Sequence, residues 1–425
     1  MRRRLRKWVI PILCLPFIAA GVFIFLSFRP KETKVIIWTD QSCFASYAEL
    51  FNTTQDEYKV IIKYKQNLAE DFPTDSGEQP DIVIGPWLKN EKVRKNFMPL
   101  DFLFKDEKLL AKDFYPQLLD LGNMQGKQYL LPVSFNLPVI IFAEENEKLI
   151  EDSFVLSISQ IRELAASFNK QNKKQVYTSM GFAPVWNADF MYVVSKLFGA
   201  NYTEAEPLFS FNKENIEKSI AYLHEWSYET NGTPEAEDEF QFKYLYGPVY
   251  RLVNTGKCLF AYTKTDYLFK LPPDRLQNLN FRWIEQDQHI AVSDKLIYMG
   301  VYRGTKNIEG SAAFITWFLN GKTQETLLER SAAQNLTIPI FGISDGFSSL
   351  RAVNEKYLTK FYPQLYGHVP TAEFLSVPNI LPAKWEDIKQ QVIIPYLKEA
   401  SRKKDGESEP KSLEARMKDW LKQNY

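Results

Sequence analysis

The sequence predicts an α/β protein built as two lobes or domains behind an N-terminal export segment, on three observations. At 425 residues the chain exceeds what one hydrophobic core usually serves. Its first globular segments run apolar strand, helix, apolar strand, the order of a parallel sheet with crossover helices. Five cations, Arg2, Arg3, Arg4, Arg6 and Lys7, stand directly before an uncharged run from Trp8 to Phe28.

That run is 21 residues. As a helix it reaches ~30 Å, the thickness of a bilayer core, and the cations hold its start on the cytoplasmic side. Residues 1–30 therefore read as a signal anchor or signal peptide, with an uncleaved anchor over 8–28 preferred. A cut after Ala20 would leave Val22–Phe28 as an apolar start, and Pro11, Ile12 and Leu13 before Cys14 suit lipidation poorly. Each of these readings places residues 30–425 outside the cytoplasm, in the periplasm or at the cell surface.

After a polar Lys31–Lys34, Val35–Trp38 reads as a buried strand, Ser46–Asn52 as a helix, and Tyr58–Tyr64 and Asp81–Ile84 as further strands. Pro132–Phe142 is apolar and extended, with Pro138 inside it. The pattern then turns helical: Ile161, Leu164, Ala165 and Phe168 fall at i, i+3, i+4 and i+7, and Ile216, Ile220 and Leu223 follow Asn212 as N-cap. Residues 230–239 read as a polar, acidic, solvated loop, Ile308–Leu319 as an apolar-faced helix, and 401–411 as a charged linker. Leu413, Met417, Trp420 and Leu421 stripe a short last helix.

Composition excludes more than it selects. Lys+Arg and Asp+Glu are both 52, so the basic excess of a nucleic-acid binder is missing. Aromatics reach 15%. With near-zero net charge, that favours a neutral ligand whose affinity changes little with salt. Beyond Cys14 only Cys43 and Cys258 occur, far apart and not expected to pair. Three histidines, none in H-x-x-x-H spacing, support no zinc site, and His224 on its helix reads as structural. No nucleophile elbow, P-loop or dinucleotide fingerprint occurs, so no catalytic residue, cofactor or metal is assigned and the chain is not expected to be an enzyme.

In their order, several segments resemble family 1 extracellular solute-binding proteins of ATP-binding-cassette importers, the maltose-binding-protein-like group. Lys34-Val-Ile-Ile-Trp-Thr-Asp is similar to the family's opening strand, and Pro80-Asp-Ile-Val-Ile-Gly-Pro-Trp87 to the strand that ends in a second binding loop. Gly126-Lys-Gln-Tyr-Leu-Leu-Pro-Val133 resembles the G-K-x-Y-G-L-P segment, with Leu130 a departure. Val139–Glu144 resembles the crossover strand without its Tyr-Asn end, and Ser159–Ala165 the T-W-E-E-L helix start without its Trp. Gly256-Lys-Cys-Leu-Phe-Ala-Tyr262 is similar to the G-K-A-A-M strand, and Lys306-Asn307 with Ala312–Leu319 to the helical return. The resemblance spans about residues 33–400.

It implies a two-lobed periplasmic-binding-protein fold of type II with hinge strands. Residues 33–138 and 298–345 would form lobe 1, 139–297 and 346–400 lobe 2, and 401–425 the linker and C-terminal helix. It also implies a function: capture of a small polar solute, a carbohydrate, for an importer's permease, by lobes that close on the ligand. Two other functions fit the same features. An anchored sensor subunit would share the fold, and a secreted hydrolase would show turnover. A metal receptor would favour adjacent tyrosines, and no Tyr-Tyr pair occurs.

By position in these motifs the resemblance places twelve residues at the cleft: Trp38, Asp40 and Gln41 after the first strand, Trp87 after Gly85-Pro86, Phe135 and Asn136 entering the crossover, Trp186, Asn187 and Asp189 before a helix, and Tyr262, Lys264 and Asp266 after the later strand. Aromatic faces and short polar groups suit a sugar's CH faces and hydroxyl rim. In this reading Trp186 stacks on the ligand from the second lobe while Asp40 hydrogen-bonds it from the first. Ile37 and Trp38 point to opposite strand faces, so one of them is expected in the core.

Overall fold

The computed structural model describes residues 33–424 apart from 67, 74–76, 106, 151–152, 245, 334–338 and 405. The leader expected at 1–30, with the anchor expected over 8–28, lies outside the described residues. Among the described residues no helix is long and apolar enough to cross a membrane.

Two six-stranded sheets form the frame. Edge to edge, the first runs Phe347–Ser348, Leu131–Phe135, Ile297–Val301, Ile82–Gly85, Thr33–Thr39 and Tyr58–Tyr64. Thr33–Thr39 is parallel to both of its neighbours, with Ile37 opposite Ile62 on one side and Ile82 on the other. Ile297–Val301 returns antiparallel to Ile82–Gly85. This is the parallel sheet read from the sequence, closed by later antiparallel strands. Both Ile37 and Trp38 are buried, where only one was expected in the core. The reason is that a parallel centre is covered on both faces. On one face the helix Ile308–Phe318 approaches so closely that a Cβ on Gly310 would lie 2.6 Å from Val35 Cγ2. On the other, Trp38 meets Phe72 edge-on at 6.3 Å.

The second sheet runs Ala261–Lys264, Pro138–Ala143, Leu279–Gln286, His289–Ala291 and Leu375–Ser376, with Val155–Ser157 parallel to Leu279–Gln286. Of its helix starts, the Asn212 cap is the one read from the sequence. Ser157 and Gln160 form a capping box on Ile158–Phe168, and Asn212 Oδ1 accepts from Asn215 N at 3.1 Å on Lys213–Glu225. Leu413–Asn424 buries Leu413, Met417 and Trp420, and Trp420 Nε1 donates to Gln391 Oε1 at 3.0 Å.

The chain passes between the sheets at 136–137, at 292–296 and at 349–374. The last passage falls later than the expected change of lobe at 346, because Phe347–Ser348 still pairs with Leu131–Phe135 in the first sheet. A second difference concerns 230–239. Thr233 Oγ1 accepts from Ala236 N at 3.1 Å and caps the helix Pro234–Lys243, with Pro at its start and Glu235 in its first turn. That is a helix-start signal hidden in an acidic run. Glu237 is fully buried there, accepting from Asn231 Nδ2 at 2.7 Å and Ser227 Oγ at 3.1 Å. Cys43 and Cys258 are free and buried.

Candidate functional site

Between the two sheets, where the chain passes from one to the other, lies a cavity of about 520 Å³. The first lobe supplies the loops that follow Thr33–Thr39 and Ile82–Gly85, at the carboxyl ends of two adjacent parallel strands, where α/β sheets place ligands. Asp40 stands in the first loop, and Gln41 Nε2 donates to its Oδ1 at 2.5 Å. A Cβ on Gly85 would sit 3.1 Å from that oxygen and 2.7 Å from Leu68 Cδ2, so glycine is needed for the carboxylate to lie against the next strand. Burial pushes the Asp40 carboxyl up, opposed by Gln41 and Lys295. Trp87 sits in the second loop with φ 61, a left-handed backbone rare for a bulky residue. Asn90 holds that turn: its Nδ2 donates to Trp87 O at 2.6 Å while its Oδ1 accepts from Val93 N at 3.1 Å.

The second lobe faces these loops with the helix Ala188–Leu197, begun by Asn187, whose Oδ1 accepts from Asp189 N at 3.0 Å. Asp189, Tyr192 and Lys196 follow i, i+3, i+7 and so share one face, which forms part of the cavity wall. The wall is a chain of ion pairs. Lys264 reaches Asp189 at 3.2 Å; Lys389 reaches Asp189 at 3.6 Å and Glu386 at 2.8 Å; Lys196 reaches Asp294 at 2.6 Å. Asp294 also accepts from Tyr192 OH at 2.8 Å and Trp385 Nε1 at 3.0 Å. Burial alone would push the Asp294 carboxyl up, but Lys196, Lys389 and these hydrogen bonds outweigh it and hold it below its usual range. The same opposition acts on Lys389, where burial lowers and Glu386, Asp294 and Asp189 raise, with the net shift upward.

Asn136 ties the passages together. Its Nδ2 donates to Asp345 O at 2.8 Å, its Oδ1 accepts from Thr265 Oγ1 at 2.6 Å, and its carbonyl accepts from Ser293 N at 2.9 Å.

Of the twelve residues expected at the cleft, Asp40, Trp87, Asn136, Asp189, Tyr262, Lys264 and Asp266 come together on the wall. The other five stand elsewhere. Phe135 is 0% exposed, wedged in the first lobe's core between Tyr115 at 5.1 Å and Phe347 at 5.5 Å. Trp38 is buried against Phe72, with Lys65 Nζ 4.5 Å from its ring centroid. Gln41 turns its amide to Asp40, and Asn187 is occupied as a helix cap. Trp186 stacks on Phe240 at 5.4 Å and donates from Nε1 to Glu237 O at 3.1 Å, so its ring serves the helix Pro234–Lys243 instead of the cavity. The wall also contains Tyr192, Lys196, Asp294 and Lys389, which the sequence reading missed. The spacing 189, 192, 196 was a usable signal; Lys389, from near the other end of the chain, had none. The expectation of a neutral, aromatic site meets a wall dense in charge.

No family model matches the chain, and no curated protein matches it either. Solved structures do. One is the ABC substrate-binding protein from Listeria monocytogenes in complex with cycloalternan: 14% identical, TM-score 0.62, covering 92% of this chain and 99% of that one. Another is the sugar-binding protein MalE from the phytopathogen Xanthomonas citri: 12% identical, TM-score 0.67, covering 92% and 100%. A third is an ABC transporter solute-binding protein from Agrobacterium vitis with bound D-mannitol: 17% identical, TM-score 0.55, covering 92% and 99%. At these identities the likeness shows a shared two-lobed fold over nearly the whole of both chains.

Proposed function

We propose that this chain is an extracytoplasmic solute-binding protein that captures a small polar solute, a carbohydrate, in the cleft between its lobes and hands it to an ABC-type importer without changing it chemically. One observation carries the reading: a cavity of about 520 Å³ whose walls come from both lobes, placed where the chain passes between the two sheets. A ligand that touches both walls favours the closed arrangement over the open one, which is the thermodynamic content of a trap. The fold is shared with proteins described as binding cycloalternan, sugar and D-mannitol. Trp87 offers an aromatic face for a sugar's CH groups, and the carboxylates of Asp40 and Asp266 offer acceptors for its hydroxyls.

The test is a thermal-shift screen of the purified full chain against mono- and disaccharides, amino acids and metal ions. A true ligand at ~100 times its dissociation constant adds ~2.7 kcal/mol to stability. A saccharide hit that calorimetry confirms supports the reading, and Trp87→Ala should weaken that affinity by ~1–3 kcal/mol. Stabilisation by amino acids or metals alone refutes it, and recovery of a cleaved saccharide refutes the non-enzymic part. The anchor over 8–28 belongs to the same proposal: the intact mass of the protein from the membrane fraction should include the leader, and a mature start near Gly21 would overturn it.

A further inference from the structure

Two carboxylates of the cleft wall, Asp189 and Asp266, have a buried oxygen without a hydrogen-bond donor among the described residues; Asp189 is paired with Lys264 and Lys389, and Asp266 forms no ion pair there. Asp266 lies in the short helical turn Thr265–Leu268 on the second lobe's wall, and its Oδ1 is buried with no hydrogen-bond partner among the described residues. The cations closest to it in effect are already engaged: Lys264 pairs with Asp189 at 3.2 Å and Lys270 with Asp345 at 2.8 Å. A buried carboxylate oxygen without a donor is costly, and the cost is recovered when a ligand supplies the donor. Across the cleft Asp40 differs: Gln41 donates to it and Lys295 acts on it. The lysines of the wall do not favour an anion: Lys196, Lys264 and Lys389 are held by Asp294, Asp189 and Glu386, Lys295 acts on Asp40, and the five lysines, Lys384 included, face seven carboxylates on the same wall.

Resting on the reading of this cleft as a saccharide site, we propose that the ligand is an amino-substituted saccharide whose protonated amine is bound by Asp266. A neutral hydroxyl would fill the hydrogen bond and leave the charge. An ammonium group fills the bond and balances the charge, and charge-assisted bonds are about twice as strong as neutral ones. Asp266 is then the residue that sets specificity between aminated and neutral sugars of one shape. Burial raises its carboxyl, with Lys264 and Lys270 opposing and Asp345 adding to the rise, so an incoming cation would lower it and take up part of the difference.

Calorimetry on the purified full chain at pH 6 tests this with a matched panel. Glucose, galactose, mannose and their common disaccharides are each set beside the 2-amino-2-deoxy counterpart, with spermidine as a cation that is not a sugar. The expected result is that the tightest saccharide is aminated and binds at least tenfold better than its neutral twin. That advantage should shrink as salt rises, and in Asp266→Asn the ratio of the two affinities should fall to near one. The salt series on the unmodified chain gives a result that does not depend on how the variant folds. A neutral sugar binding as tightly as its amino twin, or an advantage that survives Asp266→Asn, overturns the proposal and leaves the saccharide reading standing. Binding of spermidine alone, lost in Asp266→Asn, would sink the saccharide reading and keep the cation site. A panel in which nothing binds overturns the proposal.

Discussion

Replacing Lys89 by Met should make the protein more stable at acid and neutral pH and confer a much smaller advantage at pH 9. Lys89 is on the first lobe's ligand-side loop, two residues after Trp87, and is only 8% exposed. Burial pushes its ammonium down from 10.5 to about 7, with Asp294 pulling upward and Lys196 adding to the fall. Its Nζ faces the ring of Tyr298, 4.9 Å from the centroid. The displacement from 10.5 to about 7 corresponds to about 5 kcal/mol between the charged and neutral forms. Lys89→Met should therefore gain up to about 5 kcal/mol at pH 6. Below pH 7 the lysine is charged in both the folded and the unfolded chain, and the full cost weighs on the fold. Above it the folded lysine releases its proton while the unfolded one keeps it to about 10.5, so the unfolded state binds more protons and wild-type stability climbs through that window. By pH 9 that climb is worth about 3 kcal/mol, so the variant's advantage should have fallen by more than half. Urea unfolding of both proteins at pH 6 and pH 9 reads the difference directly. A variant that is weaker at pH 6, or whose advantage is the same at both pH values, refutes the reasoning.

Glu237→Gln should show the opposite pH dependence. Burial pushes Glu237 up to about 7, so between 4.5 and 7 the folded chain holds a proton that the unfolded one does not; wild-type stability falls as pH rises through that window, and the variant should gain about 3 kcal/mol at pH 8 and almost nothing at pH 4 by the same unfolding measurement. Phe135→Ala should cost ~3–5 kcal/mol of stability, seen as a large drop in urea midpoint, because it opens a hole between Tyr115 and Phe347. Trp186→Phe should lower stability by about 1 kcal/mol through the lost bond to Glu237 O and leave saccharide affinity unchanged in calorimetry; a tenfold loss of affinity would return Trp186 to the cleft.

The strands and helices were largely legible because each carries a local period. Tyr58–Tyr64 has the same bounds in sequence and structure, and Asn212 caps the helix it was read to cap. The error at 230–239 came from weighing charge above position. Thr-Pro-Glu is a cap, a first-turn proline and a first-turn acid, and the same segment's Glu237 is fully buried. The lining of the cavity was legible at or just after a strand end, as with Asp40, Trp87 and Lys264. It was not legible where choice between cavity and core depends on which face an aromatic turns. Nothing local distinguishes Trp186, stacked on Phe240, from Trp87, set on the cavity wall; what differs is a helix that arrives 48 residues later in one case and a left-handed turn in the other.

If the lobes close on a solute as proposed, the placement of the ion pairs bears on how they would move. Lys264 and Lys389 on Asp189 and Glu386 lie within the second lobe, and Lys196 on Asp294 fixes the 292–296 passage to that lobe's helix. Separating the lobes leaves these pairs intact. Other contacts do join the lobes, among them Lys270 to Asp345 at 2.8 Å and the Glu204 carboxylate accepting from Glu91 N at 2.9 Å. Both are partly exposed, and such contacts contribute about 1 kcal/mol or less each. Burial pushes Glu204 up, against the Glu91 amide and Arg94, so its hold on the first lobe weakens as it takes up a proton in mild acid. These two polar bridges are thus worth no more than a modest ligand; ring contacts such as Phe269 on Phe341 at 4.8 Å join the lobes beside them, and the ion pairs of the cleft wall are kept inside one lobe. A solute that gains ~3 kcal/mol more from both walls than from one shifts the open–closed ratio by more than a hundredfold. That is enough to make closure report occupancy, without any charge pair in the wall having to break.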